Sequence, residues 1–178
     1  MLEENGYVEI GLDHFALKTD KLYQAQESGA LHRNFMGYTT NQTSLNLALG
    51  ASSISDSWTS YVQNEKKIET YQAAIEVGRF PILKGHLLSE SDMIIRKHIL
   101  NLICQYETTW HETALQSASW YAGLERLKPL EEDGLVSIQP FELKVTEAGR
   151  PFIRNICMAF DERYWAKQPE KALFSQVV

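Results

Sequence analysis

Between Asp133 and Val145 the chain spells out a β-hairpin, and helical patterns stand on both sides of it. Asp133-Gly134 is a turn signal and Leu135-Val136-Ser137-Ile138 a short strand. Gln139-Pro140 turns the chain, and Phe141-Glu142-Leu143-Lys144-Val145 alternates apolar and polar residues strictly. Upstream, Ser89 or Ser91 can cap a helix whose first turn holds Asp92, and Ile95, Ile99, Leu102 and Ile103 form one apolar stripe. A second helix is predicted over about residues 113–128, with Trp120, Leu124 and Leu127 on one face. Pro129 opposes its smooth continuation. Downstream, Thr146 caps a new helix with Glu147 in its first turn, and Ile153, Ile156, Cys157, Phe160 and Tyr164 follow at helical spacing. Two helices, a small hairpin and a third helix are the order of a winged-helix-like unit. It is assigned to residues 81–178, with the boundary near Phe80-Pro81.

Residues 1–80 carry a different mixture. Tyr7 to Leu12 reads as a strand, and Lys21 to Ser28 as a short helix closed by Gly29. Residues 30–44 lack a helical period and read as an extended loop. Leu45 to Gly50 alternates apolar and small residues, so a second strand is predicted there, continuing loosely to Ile54. Ile68, Tyr71 and Ile75 mark a helix ended by Gly78. The fold class expected is α+β, mainly helical.

Charge narrows the partners. Residues 1–80 hold 6 basic and 10 acidic side chains, and residues 81–178 hold 11 and 13. Neither half has the positive excess that phosphate backbones select, so no nucleic-acid partner is expected. No run of about 18 apolar residues occurs, so no membrane span is expected either. Met1-Leu2-Glu3-Glu4 does not open a signal peptide. The expected location is cytoplasmic.

The usual stand-alone catalytic signatures are missing. The two cysteines, Cys104 and Cys157, sit 53 positions apart in apolar helical patterns and read as reduced, buried thiols. His14, His32, His86, His98 and His111 form no metal-ligand spacing. There is no phosphate loop, dinucleotide fingerprint or nucleophile elbow. What remains is polar material beside strands. Asp13 and His14 follow an apolar strand, where they either cap a turn or wall a pocket. Arg33 can grip a carboxylate bidentately or pair on the surface. Phe35 and Tyr38 can stack on a flat ligand or fill a core.

Several motifs in order then point to one family. They are Ile10-Gly11-Leu12-Asp13-His14-Phe15-Ala16, Leu31-His32-Arg33-Asn34-Phe35-Met36-Gly37-Tyr38-Thr39-Thr40 and Leu49-Gly50-Ala51-Ser52-Ser53-Ile54-Ser55. Asn101-Leu102-Ile103-Cys104, Asp133-Gly134-Leu135-Val136, Val145-Thr146-Glu147-Ala148-Gly149-Arg150 and Ile153-Arg154-Asn155-Ile156-Cys157-Met158-Ala159-Phe160-Asp161 continue the series. From about Gly6 to Asp161 the chain resembles the C-terminal part of the oxygen-independent coproporphyrinogen III oxidases. These are radical S-adenosylmethionine enzymes of haem biosynthesis. They oxidatively decarboxylate two propionates of coproporphyrinogen III, giving protoporphyrinogen IX. Related haem chaperones differ at the His32–Thr40 loop and lack the Arg154–Asp161 ending.

The resemblance implies the last strands of a (β/α) barrel over residues 1–80, followed by the winged-helix-like helical domain. It implies S-adenosylmethionine and a 4Fe–4S cluster in the parent enzyme. This chain has no CxxxCxxC motif. It is therefore expected to need a missing N-terminal barrel half as partner, to bind neither cofactor alone, and to be inactive alone. Carried over position by position, Phe35, Met36 and Ile54 fall where the family approaches its second S-adenosylmethionine, with Met36 standing where Gln is common. Asp13, His14 and Arg33 match motif positions placed near the porphyrinogen and its propionates. The strand near Val8–Leu12, without barrel neighbours, is expected to drive self-association through residues 1–60 or to leave them disordered. The alternative is a stand-alone winged-helix binding or interaction module over residues 89–165. Its recognition helix would hold only Arg126 and Lys128 beside Trp120, Glu125 and Glu131.

Overall fold

A computed structural model describes residues 1–167 as a mixture of helices and small antiparallel sheets. In chain order it runs β1 (Tyr7–Gly11), β2 (His14–Leu17), α1 (Lys21–Glu27), β3 (His32–Asn34), β4 (Gly37–Thr39), β5 (Ile54–Asp56), β6 (Ser60–Asn64), α2 (Ile68–Glu76) and β7 (Ile82–Leu87). It continues with α3 (Glu90–Gln105), β8 (Glu107–Thr109), α4 (Ala118–Glu132), β9 (Val136–Gln139), β10 (Glu142–Val145), α5 (Ile153–Met158) and α6 (Glu162–Ala166).

The longest helix, α3, organises the molecule. Ser89 starts it with a reciprocal capping box: its side chain accepts from the Asp92 N–H, and the Asp92 carboxylate accepts from the Ser89 N–H. Leu102 lies in the larger core with Trp110, Trp120, Leu127, Leu143, Ile153, Ile156 and Phe160. Cys104, two residues on, packs in a smaller core with Ile10, Ala16, Ala25 and Leu31. One helix thus closes both cores.

The hairpin of the C-terminal half forms as its alternation predicts. Leu143 pairs with Ile138 and, on its other side, with Thr108, giving the strand order β8-β10-β9. Around it the helices are more broken than expected. The 113–128 helix is a 3₁₀ turn at Thr113–Leu115 and then α4, capped by Ser117. Pro129 sits inside α4 without ending it, because Leu127 and Leu130 hold both sides of the proline in the core. The helix expected from Thr146 onward is three pieces: a 3₁₀ turn at Arg150–Phe152, α5, and α6. Asp161 caps α6 by accepting the Tyr164 N–H, so the chain restarts where a continuous helix was expected.

The first 80 residues depart further. Leu12 and Asp13 adopt φ values of 45° and 68° and turn β1 straight into β2. The stretch read as an extended loop is the β3–β4 hairpin. The strand expected at Leu45–Gly50 is not there; only Asn46 bridges to Asp56, and Leu45, Leu47 and Leu49 are exposed. That segment is held instead by buried Asn64, whose amide donates to the carbonyls of Ala48 and Gly50. The residues beyond it form the sheet β5-β6-β7, which the sequence reading did not anticipate. The division placed near Phe80-Pro81 falls within this sheet: β6 and β7 pair across it, Tyr61 opposite His86.

Candidate functional site

The β3–β4 hairpin turns on two residues, Phe35 and Met36. Asn34 makes that turn, its side-chain oxygen accepting the Met36 N–H at 2.8 Å, and Gly37 leaves it at φ 132°. Phe35 and Met36 therefore stand at the tip, 55% and 91% exposed. Behind them, Arg33 faces Tyr38 across the hairpin, its guanidinium 4.7 Å from the ring centre. Tyr38 fixes the hairpin to α3: its hydroxyl donates to the Ile103 carbonyl at 3.0 Å. Burial, then the nearby Tyr106, push the Tyr38 phenol above its ordinary range, so it stays a protonated donor. Arg33 Nη1 is out of contact with water and has no hydrogen-bond partner among the described residues.

A second anchor comes from the turn between β5 and β6. Arg96 on α3 pairs with both carboxylate oxygens of Asp56, at 2.9 and 2.5 Å, and donates to the Trp58 carbonyl at 2.8 Å. Its guanidinium lies over the rings of Trp58 and Tyr61. Each partner's side chain is 12% exposed, so the pair is largely desolvated and fully bonded. Tyr61 meets Phe35 edge to face, ring centres 5.1 Å apart. Asp56 pairs with Tyr61 and Ile54 with Gln63, which places Ile54 on the same sheet face as Asp56 and Tyr61.

Between these parts opens a cleft of about 790 Å³. Arg33, Phe35, Asp56, Tyr61 and Arg96 line it together with Phe160 to Arg163. Of the residues singled out from the sequence, Arg33 and Phe35 line this cleft. Met36 and Ile54 are not among its lining residues, although both are adjacent in the fold. Asp13 and His14 are not either. Asp13 is an exposed turn residue, and His14 Nδ1 bonds the Leu12 carbonyl at 2.9 Å, its ring edge-on to Tyr38. Sequence reasoning missed Asp56, Arg96, Tyr61 and Arg163. Asp56 and Arg96 are 40 positions apart, and only the unforeseen sheet brings them together.

The thiols have a different character. Cys104 and Cys157 are both unpaired and buried. Burial pushes the Cys104 thiol to about 11, and burial with the neighbouring Cys104 pushes Cys157 to about 12. Two thiols are fewer than the four thiolate donors that an iron–sulfur cluster usually takes. Among the described residues no three His, Cys, Asp or Glu converge as metal ligands. None of the described helices is long and apolar enough to cross a membrane.

Comparison with known proteins gives one consistent result. No family model matches the chain. The oxygen-independent coproporphyrinogen III oxidase of Salmonella typhimurium is 38% identical over 99% of this chain, and that of Escherichia coli is 38% identical over the same share. The Synechocystis enzyme is 39% identical, again over 99% of the chain. In each case the chain spans about 40% of the relative's length. The solved structure of the Escherichia coli coproporphyrinogen III oxidase, described as a radical SAM enzyme, superposes with a TM-score of 0.84. That match covers 91% of this chain and 38% of the other. Sequence along nearly the whole chain and backbone along most of it agree: this chain corresponds to one segment, about two-fifths in length, of the oxygen-independent coproporphyrinogen III oxidases.

Proposed function

We propose that this chain works as part of an enzyme that oxidatively decarboxylates two propionates of coproporphyrinogen III in haem biosynthesis. In this reading residues 1–80 derive from the end of the (β/α) barrel, and the rest forms a winged-helix-like cover. The strand order β8-β10-β9 against α3 and α4 supports the second half of that reading. A cytoplasmic location and a barrel partner supplying the iron–sulfur cluster belong to it.

The observation that carries the proposal is that one hairpin places both an aromatic side chain, Phe35, and a guanidinium side chain, Arg33, on the wall of one cleft. Phe35, braced on edge by Tyr61, offers its ring to a flat or apolar group. Ile54 lies on the neighbouring sheet face. These residues, with backbone groups near Met36, fit the nucleoside of S-adenosylmethionine. When bound, that cofactor supplies the adenosyl radical. The side chains here bind, orient and exclude water. Arg33 carries the charge for a propionate, and Asp13 and His14 at the neighbouring turn are its outer rim.

The test is a chimera in which this chain replaces the matching segment of the Escherichia coli enzyme. Anaerobic turnover of coproporphyrinogen III is expected, with Phe35→Ala raising the KM for S-adenosylmethionine at least tenfold. A folded chimera that carries its cluster yet does not turn over would overturn the proposal.

Self-association through residues 1–60 is a further expectation of this reading. Among the described residues β1 pairs with β2 alone, and Tyr7, Phe15 and Leu17 are exposed on this two-stranded sheet. Light scattering should show a mass that rises with concentration. A monomeric mass throughout would dismiss the expectation.

A further inference from the structure

The charges around the cleft do not all remain free to act. Four acidic side chains line it: Asp56, Asp92, Asp161 and Glu162. Asp56 is consumed by Arg96 in a two-bonded pair. Asp92 is tied to Ser89 by bonds from its N–H and its hydroxyl, and Asp161 to the Tyr164 N–H. Capping bonds of this kind occupy carboxylate oxygens and fix their direction. On the basic side Arg96 is spent in the same way. Glu162 on the acidic side and two guanidinium groups on the basic side are left.

One is Arg33, with Nη1 unsatisfied. Nη1 itself is sealed from solvent, so a ligand carboxylate would have to meet the rest of the guanidinium fork. The other is Arg163 on α6, whose side chain is 63% exposed. Its contact in the cleft is with Asp92, at 4.0 Å, beyond hydrogen-bond reach. The two come from different elements, β3 and α6, and line the same cleft. The cleft's volume, about 790 Å³, lies in the range that encloses a drug-sized ligand or larger.

We propose that Arg33 and Arg163 form a two-point carboxylate anchor, each taking one carboxylate of a single tetrapyrrole polycarboxylate held in the cleft. The proposal rests on the functional reading above and adds Arg163 as a substrate-orienting residue. Two fixed anchors choose which edge of a nearly symmetric ring faces the reacting centre, which one anchor cannot do. Guanidinium suits this task because its planar fork meets a carboxylate with two parallel bonds.

The anchor is tested on the chain itself, by absorbance titration with coproporphyrin III and with its tetramethyl ester, which keeps the ring and loses the charges. The acid is expected to bind at least tenfold more tightly than the ester. Arg163→Gln should weaken acid binding roughly tenfold, the scale of one charged hydrogen bond, and leave the ester unchanged. Arg163→Lys should fall between. Arg79→Gln, an exposed arginine outside the cleft, should change nothing. Because Arg163 is exposed, its variant should unfold at the wild-type temperature, so a loss of binding is not a loss of fold. If acid binds but Arg163→Gln binds it equally well, or ester matches acid, the anchor is wrong and the functional reading stands. If the chain binds neither porphyrin, the anchor is wrong, and the functional reading is decided separately by the chimera.

Discussion

Gly123→Ala is expected to destabilise the chain by about 3 kcal/mol, at the upper end of what overpacking a core costs. Gly123 is on α4, where its missing side chain makes room for Phe160. A Cβ there would lie 2.1 Å from Phe160 Cδ1 and 2.5 Å from Cε1, far inside van der Waals contact. The ring has nowhere to go. Phe160 is 1% exposed and stacks on Trp120 at 4.4 Å, and Trp120 stacks in turn on His98 at 3.9 Å. Displacing Phe160 therefore disturbs three stacked rings. It also disturbs the start of α6 and the cleft wall formed by Phe160 to Arg163. Alanine normally favours a helix over glycine by about 1 kcal/mol, so the clash must first offset that gain. Urea unfolding should show a lower midpoint with an unchanged slope, and melting should fall by roughly 6–12 °C for a chain of this size. A midpoint equal to or above wild type would show that Phe160 can move away from α4 without cost.

How much of this was legible beforehand depends on where the signal lay. Local chemistry read well. Ser89 and Asp92 mark the start of α3, Gly29 and Gly78 close α1 and α2 at φ values of 70° and 69°, and the alternation of Phe141 to Val145 fixes β10. Turns without standard residues did not. Leu12 occupies a left-handed position where Asn, Asp or Gly is usual, so only Asp13, read as capping a turn or walling a pocket, hinted at the β1–β2 turn. The β3–β4 turn did carry a signal, Asn34 followed by Gly37, but its strands are three residues each, too short for a period to show. Leu45 to Gly50 misled in the opposite way. Its alternation imitates a strand, while the buried Asn64 side chain bonds the Ala48 and Gly50 carbonyls in place of a neighbouring strand.

The site follows the same rule. Phe35, Met36, Ile54 and Arg33 were reached through motif resemblance, and the structure puts Arg33 and Phe35 on one cleft. Asp56, Tyr61 and Arg96 were invisible because their meeting requires the sheet β5-β6-β7 to pack on α3. An acidic residue and an arginine 40 positions apart carry no spacing that marks them as a pair.

Replacing His98 by Leu is expected to cost about 3–4 kcal/mol near neutral pH, and to remove part of the chain's sensitivity to acid. His98 is 0% exposed on α3. Its Nε2 lies 2.8 Å from the Leu115 carbonyl, which can only accept, so Nε2 carries the proton. Nδ1 then accepts from the Thr108 hydroxyl at 2.8 Å, and Thr108 accepts in turn from the Asn101 amide at 3.1 Å. Leucine fills the volume but leaves the Leu115 carbonyl and the Thr108 hydroxyl unmatched, at about 1–3 kcal/mol each. It also loses the stack on Trp120. The acid effect has a definite sign. Burial holds the His98 imidazole below its ordinary value, with the Leu115 hydrogen bond opposing that shift and Lys97 adding to it. Above the unfolded value of about 6.5, His98 is neutral in both states and its contribution is complete. As pH falls below about 6.5 the unfolded chain takes up a proton that the folded chain refuses. Stability then drops, by at most about 1.4 kcal/mol per pH unit from this residue, until the folded value is reached. His98→Leu should therefore be much less stable than wild type at pH 7.5 and lose less on going to pH 5.5. Chemical denaturation at the two pH values measures both effects. Parallel losses in the two proteins would show that His98 takes up its proton at the same pH in the folded and unfolded chain, so that burial does not hold its imidazole neutral.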